Sequence, residues 1–168
     1  MHIKSINEFN NTYNEHVKNV QYFIDKLIKV LELSDEDAAK MKSRAFTHDK
    51  SKIYNYDEFK GYILMKSELE GLEYQSKEYK DVMEKYKYVI DLHYKNNDHH
   101  PEHFKNGIAD MNKFQVYEMI CDWLGAMKTY NNTSGLAESL IKNKVKFNIQ
   151  NDDFDTISEI ATKLMDEE

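Results

Sequence analysis

INEFNNTYNEHVKNVQYFIDKLIKVLEL, residues 6–33, decides the fold class. Phe9, Tyr13, Val17, Val20, Ile24, Leu27 and Leu31 recur at steps of three and four, the period of an amphipathic helix. No alternation of period two interrupts the run, and no proline breaks it. The remaining chain repeats the pattern. Ser34, with Asp37 three residues on, opens a second helix in the manner of a capping box. That helix carries Ala38, Met41 and Ala45 and ends at His48-Asp49. A polar connector, Lys50 to Asp57, leads to helices over Glu58–Leu72 and Lys77–Tyr94, the second with Val82, Tyr86, Val89, Ile90 and His93 inward. A histidine-rich loop spans Asn96 to Ile108 and holds the one proline, Pro101. The most apolar helix runs from Asn112 to Tyr130, and two short ones cover Leu136–Lys146 and Phe154–Met165. No segment reads as a strand. The expected fold is all-α, a bundle of about six or seven helices.

Composition agrees. The chain has 168 residues, enough for one domain with a single core, here taken as residues 1–168. Five glycines and one proline leave little material for hairpins and favour helices joined by short loops. The lone Cys121 has no disulfide partner and lies in an apolar run, which predicts a buried thiol in a reducing compartment. With no apolar stretch of membrane length and no signal-like N-terminus, the expected location is cytoplasmic, with no membrane partner. A formal charge of −7 argues against duplex nucleic acid, which calls for a clustered basic surface. A small phosphorylated ligand stays compatible, because bound divalent cations reverse the local potential. Every basic residue but Arg44 is lysine, a bias that reflects an AT-rich coding sequence. The sequence carries no signal for an oligomeric state.

Chemistry concentrates in seven histidines. Four, His93, His99, His100 and His103, lie close together; His48 stands beside Asp49, and His16 lies next to the first helix's apolar stripe. His2 is terminal and is assigned no role. Neutral imidazole and ionised carboxylate together bind borderline divalent metals, and no second sulfur offers a thiolate site. Adjacent helical residues point about 100° apart, so His48 and Asp49 can grip one ion only where a helix ends or from two sides of a site. A solvated helix terminus explains the doublet equally well. Lys52, one turn on, adds an amine that could meet a phosphate oxygen. Asp122 sits in EMICDWLGAM, and no lysine occurs between Phe114 and Met127 to pair with it along the helix. A carboxylate in so apolar a run must be paired, protonated or ligating. Metal ligation is the favoured reading and a core boundary position the plain one. Glu118, four residues before Asp122, is placed to orient a ligating histidine. His103 is either behind a ligand or exposed.

The order His16, His48-Asp49, Asp122 resembles the ligand set of the HD-domain metal-dependent phosphohydrolases. His48-Asp49-Lys50-Ser51-Lys52 is similar to the His-Asp-x-Gly-Lys element of the HD-GYP cyclic-dinucleotide phosphodiesterases, with Ser51 in the glycine's place. His93 with His99-His100 and Glu102 resembles their second-metal elements, although Pro101 interrupts the run and the Gly-Tyr-Pro element is missing. The segment around Cys121-Asp122-Trp123 is similar to that around their last aspartate. The resemblance covers about His16 to Lys128. The whole pattern, His93-x3-Asn97-x-His99-His100-Pro101-Glu102 plus Cys121-Asp122-Trp123, looks closest to an uncharacterised, often phage-encoded family of small HD-like proteins. It implies a single HD-like helical domain with His16, His48, Asp49 and Asp122 at one metal, and His93, His99 and His100 at a second that Asp49 bridges. Asp49 and Lys52 would be catalytic, Lys52 and Asn97 would meet substrate, and Glu102 and Glu118 would stand behind the ligands. The expected activity is hydrolysis of a nucleotide or cyclic oligonucleotide phosphoester. Manganese or iron is favoured as cofactor, with zinc, cobalt or nickel next and magnesium last. The rival expectation is a metal-stabilised binding module that sequesters a nucleotide signal or host factor. A helical protein without metal is the third.

Overall fold

A computed structural model describes residues 3–131 and 135–166; His2 lies outside them. The described residues contain no strand and nine α-helices: α1 (Ile3–Val30), α2 (Asp35–Thr47), α3 (Ser51–Tyr54), α4 (Tyr56–Leu69), α5 (Lys77–Lys85), α6 (Lys87–Asn96), α7 (Lys113–Thr129), α8 (Gly135–Phe147) and α9 (Asn151–Asp166). Two 3-10 turns, Pro101–His103 and Gly107–Asp110, occupy the histidine-rich segment. The fold is an all-α bundle, as the periodicity predicts. No helix among these residues is long and apolar enough to cross a membrane.

Local chemistry sets most boundaries. The Ser34 hydroxyl accepts the Asp37 amide at 3.3 Å and starts α2. Asn112 and Gln115 form a reciprocal capping box at the head of α7. α1 stops at Val30, three residues before the sequence-based limit. There Glu32 takes φ 48° and the Leu33 amide reaches back to the Ile28 carbonyl, closing the end without a glycine. The expected helix over Lys77–Tyr94 is two helices. Tyr86 leaves helical geometry at φ −100°, ψ 12°, with its ring buried and its hydroxyl donating to Glu68 of α4 at 2.7 Å. That anchor is tertiary, so neither glycine nor proline announces the break. The connector Lys50–Asp57 likewise holds the short α3, and α4 begins at Tyr56 under an Asn55 cap.

The chain forms two compact units. Unit 1 comprises Met1–Asn14 and Asp49–Asn97; unit 2 comprises Glu15–His48 and Asp98–Glu168. Within unit 1, the start of α1 packs Phe9 edge-on against Phe59 of α4 and over Tyr62. α4 lies close to α6, where Gly61 faces Val89. Unit 2 holds the larger apolar core. Val20, Ile24 and Leu27 of α1 cluster with Met41 of α2, Met119, Ile120 and Leu124 of α7, and Ile157 and Leu164 of α9. Each such side chain, fully removed from water, contributes about 1.5–3 kcal/mol. Cys121 is fully buried in this core, as its apolar setting predicts, and burial pushes its thiol well up.

Two glycines, Gly61 and Gly125, permit close approach of a neighbouring helix. A Cβ on Gly125 would lie 2.6 Å from Val20 Cγ2 and 3.1 Å from the Val20 amide nitrogen, and backbone cannot move aside cheaply. Gly125→Ala should therefore lower stability by roughly 1–3 kcal/mol despite alanine's better helix propensity. A urea midpoint shifted down at unchanged slope would show it; an unchanged midpoint would mean α1 and α7 do not approach so closely.

Candidate metal centre

In unit 2, α1, α2, α7 and the segment after Asn97 bring together His16, His48, Asp122 and His99. His16 is on the stripe of α1 that also buries Val20. His48 follows the last residue of α2, so the helix does end at the doublet. Asp122 projects from α7, whose opposite positions serve the core. His16 Nε2 lies 2.9 Å from Asp122 Oδ1, His48 Nε2 lies 3.5 Å from the same oxygen, and the two Nε2 atoms are 3.3 Å apart. The ligand atoms of His48, His99 and Asp122 all fall within 4.8 Å of one another. The imidazoles of His48, His99 and His100 succeed each other at centroid distances of 4.4 and 4.1 Å.

Behind His48 stands Glu118, 3% exposed, with Oε1 2.8 Å from His48 Nδ1. A carboxylate only accepts, so Nδ1 carries the proton and a neutral His48 presents its Nε2 lone pair to His16 and Asp122. His48 Nε2, His16 Nε2 and Asp122 Oδ1 then meet 2.9–3.5 Å apart. Neighbouring ligands about 2.1 Å from one shared ion are separated by about 3.0–3.4 Å. The donor set and its spacing fit a divalent cation. Glu118 is itself fixed by Arg44, whose Nε donates to Oε2 while its terminal nitrogen donates to Asp98, which also accepts from Gln115. Burial pushes the Asp122 carboxyl up, but the imidazoles of His16, His48 and His99 around it outweigh burial and hold the group well below its ordinary range.

Unit 1 repeats the device. Glu58, fully buried at the head of α4, places Oε1 2.6 Å from His93 Nδ1 on α6. His93 Nε2 is turned to Asp49 Oδ1 at 3.3 Å. Ser51 and Asn96 also donate to Glu58. Burial raises the Glu58 carboxyl, and the bonds from His93, Asn96 and Ser51 bring it net below its usual value. Asp49 is 1% exposed and holds φ 55°, a left-handed conformation that aspartate tolerates better than most residues. Its Oδ2 pairs with Lys52 at 2.5 Å, and the Lys52 ammonium also lies over the Tyr62 ring at 5.3 Å. Asn97 is buried and its amide donates to Ser51 and to the His93 carbonyl, bracing the cluster.

Of the expected residues, His16, His48, His99, His100, Glu118 and Asp122 belong to unit 2, and Asp49, Lys52, His93 and Asn97 to unit 1. Glu102 departs from expectation. It sits on the exposed side of the 3-10 turn that the buried Pro101 opens, and pairs with Lys146 at 3.0 Å. His103 is exposed on the same turn. Sequence reasoning missed Glu58 and Arg44. Glu58 looks like any acidic residue of a first helical turn, yet its three- and four-residue spacing to Gly61 and Tyr62 puts it on the inward face of α4. Arg44 was legible only as the single arginine.

Residues 5–163 match DUF5662, a family of unknown function. The chain belongs to that family. Neither the curated proteins nor the solved structures contain a match to it.

The glutamate contacts predict tautomers. At neutral pH without metal, His48 and His93 should be Nδ1–H, the minor form in solution, detectable by two-bond proton–nitrogen correlation; Nε2–H signals for either would refute the assignment. Glu118→Ala should cost about 3–5 kcal/mol by leaving Arg44 without its buried partner, and Glu118→Gln clearly less. Asp98 gives a pH test. Burial raises its carboxyl, but Arg44 and Gln115 depress it further than burial lifts it. Its stabilisation is present above the unfolded pKa and lost as pH falls through the lower folded value. Wild type and Asp98→Asn should therefore converge in stability on acidification below about pH 4.

Proposed function

We propose that the protein is a metal-dependent phosphohydrolase acting on a nucleotide or cyclic oligonucleotide phosphoester. The observation that carries this reading is His48: Glu118 occupies its Nδ1, and its Nε2 meets His16 Nε2 and Asp122 Oδ1 at 3.3 and 3.5 Å. His16, His48 and Asp122 would hold the ion, with His99 next to them. A divalent cation there supplies Lewis acidity toward water and toward a phosphoryl oxygen. Glu118 keeps the His48 ring in the ligating tautomer and raises its basicity. Asp49 and His93, locked by Glu58, offer a second pair of the same kind, and the His48-Asp49 peptide delivers one ligand to each set. Lys52 would neutralise charge on the phosphoryl group as the transition state forms. Mixed imidazole and carboxylate donors favour manganese or iron over zinc, cobalt or nickel, and magnesium least.

The second reading, a metal-stabilised module that binds a nucleotide signal without turning it over, draws on Lys52 itself. Its ammonium is already paired with Asp49, which leaves less charge for a reacting phosphate.

Elemental analysis of the purified protein should find one or two divalent ions per chain, and His48→Ala or Asp122→Ala should remove about one. Chelation should lower the melting temperature, since an ion at a hundred times its dissociation constant adds about 2.7 kcal/mol. Equal melting with and without chelator would remove the metal from the account. Against a panel of linear and cyclic nucleotides, loaded wild type should release phosphate or mononucleotide. Lys52→Ala should retain metal while losing turnover. Loaded protein inert to the whole panel would favour the binding module.

A further inference from the structure

Unit 2 carries a feature outside the histidine cluster: a cleft of about 230 Å³ walled by α1, α7 and α9. Its floor is apolar, with Phe23, Leu124 and Leu164 all buried in the core. Its walls are Tyr22, Met127 and Met165, of which Tyr22 is 46% and Met165 42% exposed. Lys26 and Lys128 line it as well. The Lys128 ammonium lies 4.3 Å above the Tyr22 ring. Several lysines of this acidic chain are paired with carboxylates, as Lys40, Lys85, Lys113 and Lys163 are. Among the described residues, Lys26 and Lys128 have no carboxylate within ion-pair reach. Two uncompensated cations therefore flank exposed apolar surface on a chain whose formal charge is −7.

We infer that this cleft binds a small amphipathic carboxylate, its apolar body on Phe23, Leu124, Leu164 and the two methionines and its anionic end between Lys26 and Lys128. Three features select that class. The cations would meet the carboxylate, and a neutral or cationic ligand would leave them unanswered. The volume lies below the roughly 300–1,000 Å³ that enclose drug-sized ligands, so the body is a single ring or a chain on the order of eight carbons. The methionine side chains are unbranched and polarisable, and they adapt to a flexible chain better than a rigid wall would. A second copy of this chain is the competing occupant, and sedimentation distinguishes it.

The test uses the full chain, with octanoate as probe and octan-1-ol and octylammonium as controls. Methyl carbon–proton spectra should show the Met127 and Met165 signals moving with octanoate, saturating with a dissociation constant on the order of 0.1–1 mM. Octan-1-ol and octylammonium should each bind at least about tenfold more weakly, as should octanoate to the Lys26→Glu/Lys128→Glu variant, while Lys26→Arg/Lys128→Arg keeps affinity. Metal-loaded and chelated protein should give the same result, so failure of the histidine-site reading leaves this one standing. Equal binding of the alcohol, unmoved Met127 and Met165 methyls, or indifference to the charge reversal would overturn the proposal. So would sedimentation showing a dimer that protects those methyls, because a second copy would then be the occupant.

Discussion

A carboxylate facing Nδ1 of an imidazole is the constraint on which both clusters depend. Glu118 does this to His48 and Glu58 does it to His93. Neither glutamate has more than slight access to water, so neither can exchange its histidine for solvent at low cost. Each therefore fixes a proton on one nitrogen and a lone pair on the other, and each lone pair is aimed at an aspartate. The Nε2–oxygen separations of 3.5 and 3.3 Å are long for a hydrogen bond and right for two atoms that share an ion. Remove the glutamate and the ring can flip or change tautomer, which takes the lone pair away from the aspartate.

This arrangement is costly to keep. Asp49, Glu58 and Glu118 are all but fully buried and Asp122 nearly so, and an isolated carboxylate in such surroundings would protonate. Each is met by a donor: Asp122 by His16, Glu118 by Arg44 and His48, Glu58 by His93, Asn96 and Ser51, and Asp49 by Lys52. Asp49 adds a left-handed backbone in a place where glycine would be relaxed. Buried ionic networks of this kind seldom add net stability over an apolar replacement. In a fold whose core already packs with Leu, Ile and Met, stability alone does not account for them.

The cleft beside Tyr22 is built on the opposite principle. Its floor belongs to the same apolar core that sets the α1, α7 and α9 packing, and its charge sits on flexible lysines at the rim. Precise geometry is needed to hold an ion and is not needed to hold a short hydrocarbon, for which water exclusion and a neutralising charge suffice. One helix, α7, serves both ends: Glu118 and Asp122 face the histidines, and Leu124, Met127 and Lys128 face the cleft.

By itself the sequence determined the helical class, because a period of 3.6 with few glycines and one proline leaves sheets no material. It also singled out Asp122, because charge in an apolar run must be answered by something nearby, Glu118 one turn before it, and His16, His48 and His99 by their order and motifs. The cap at Ser34 and the doublet at the end of α2 were legible for the same local reason. Tertiary structure alone decided the rest. Tyr86 breaks the expected helix by reaching a glutamate on another helix, a contact that no local propensity encodes. Glu58 differs from its exposed neighbour Asp57 only in which face of α4 is covered. Glu102 turns to Lys146 from the exposed side of a 3-10 turn, and periodicity says nothing about a loop. The division into two units, each closed by segments distant in sequence, follows from which helices pack together. That choice is made by side-chain shape across the core, as at Gly61 against Val89 and Gly125 against Val20, and is not written in any one stretch of chain.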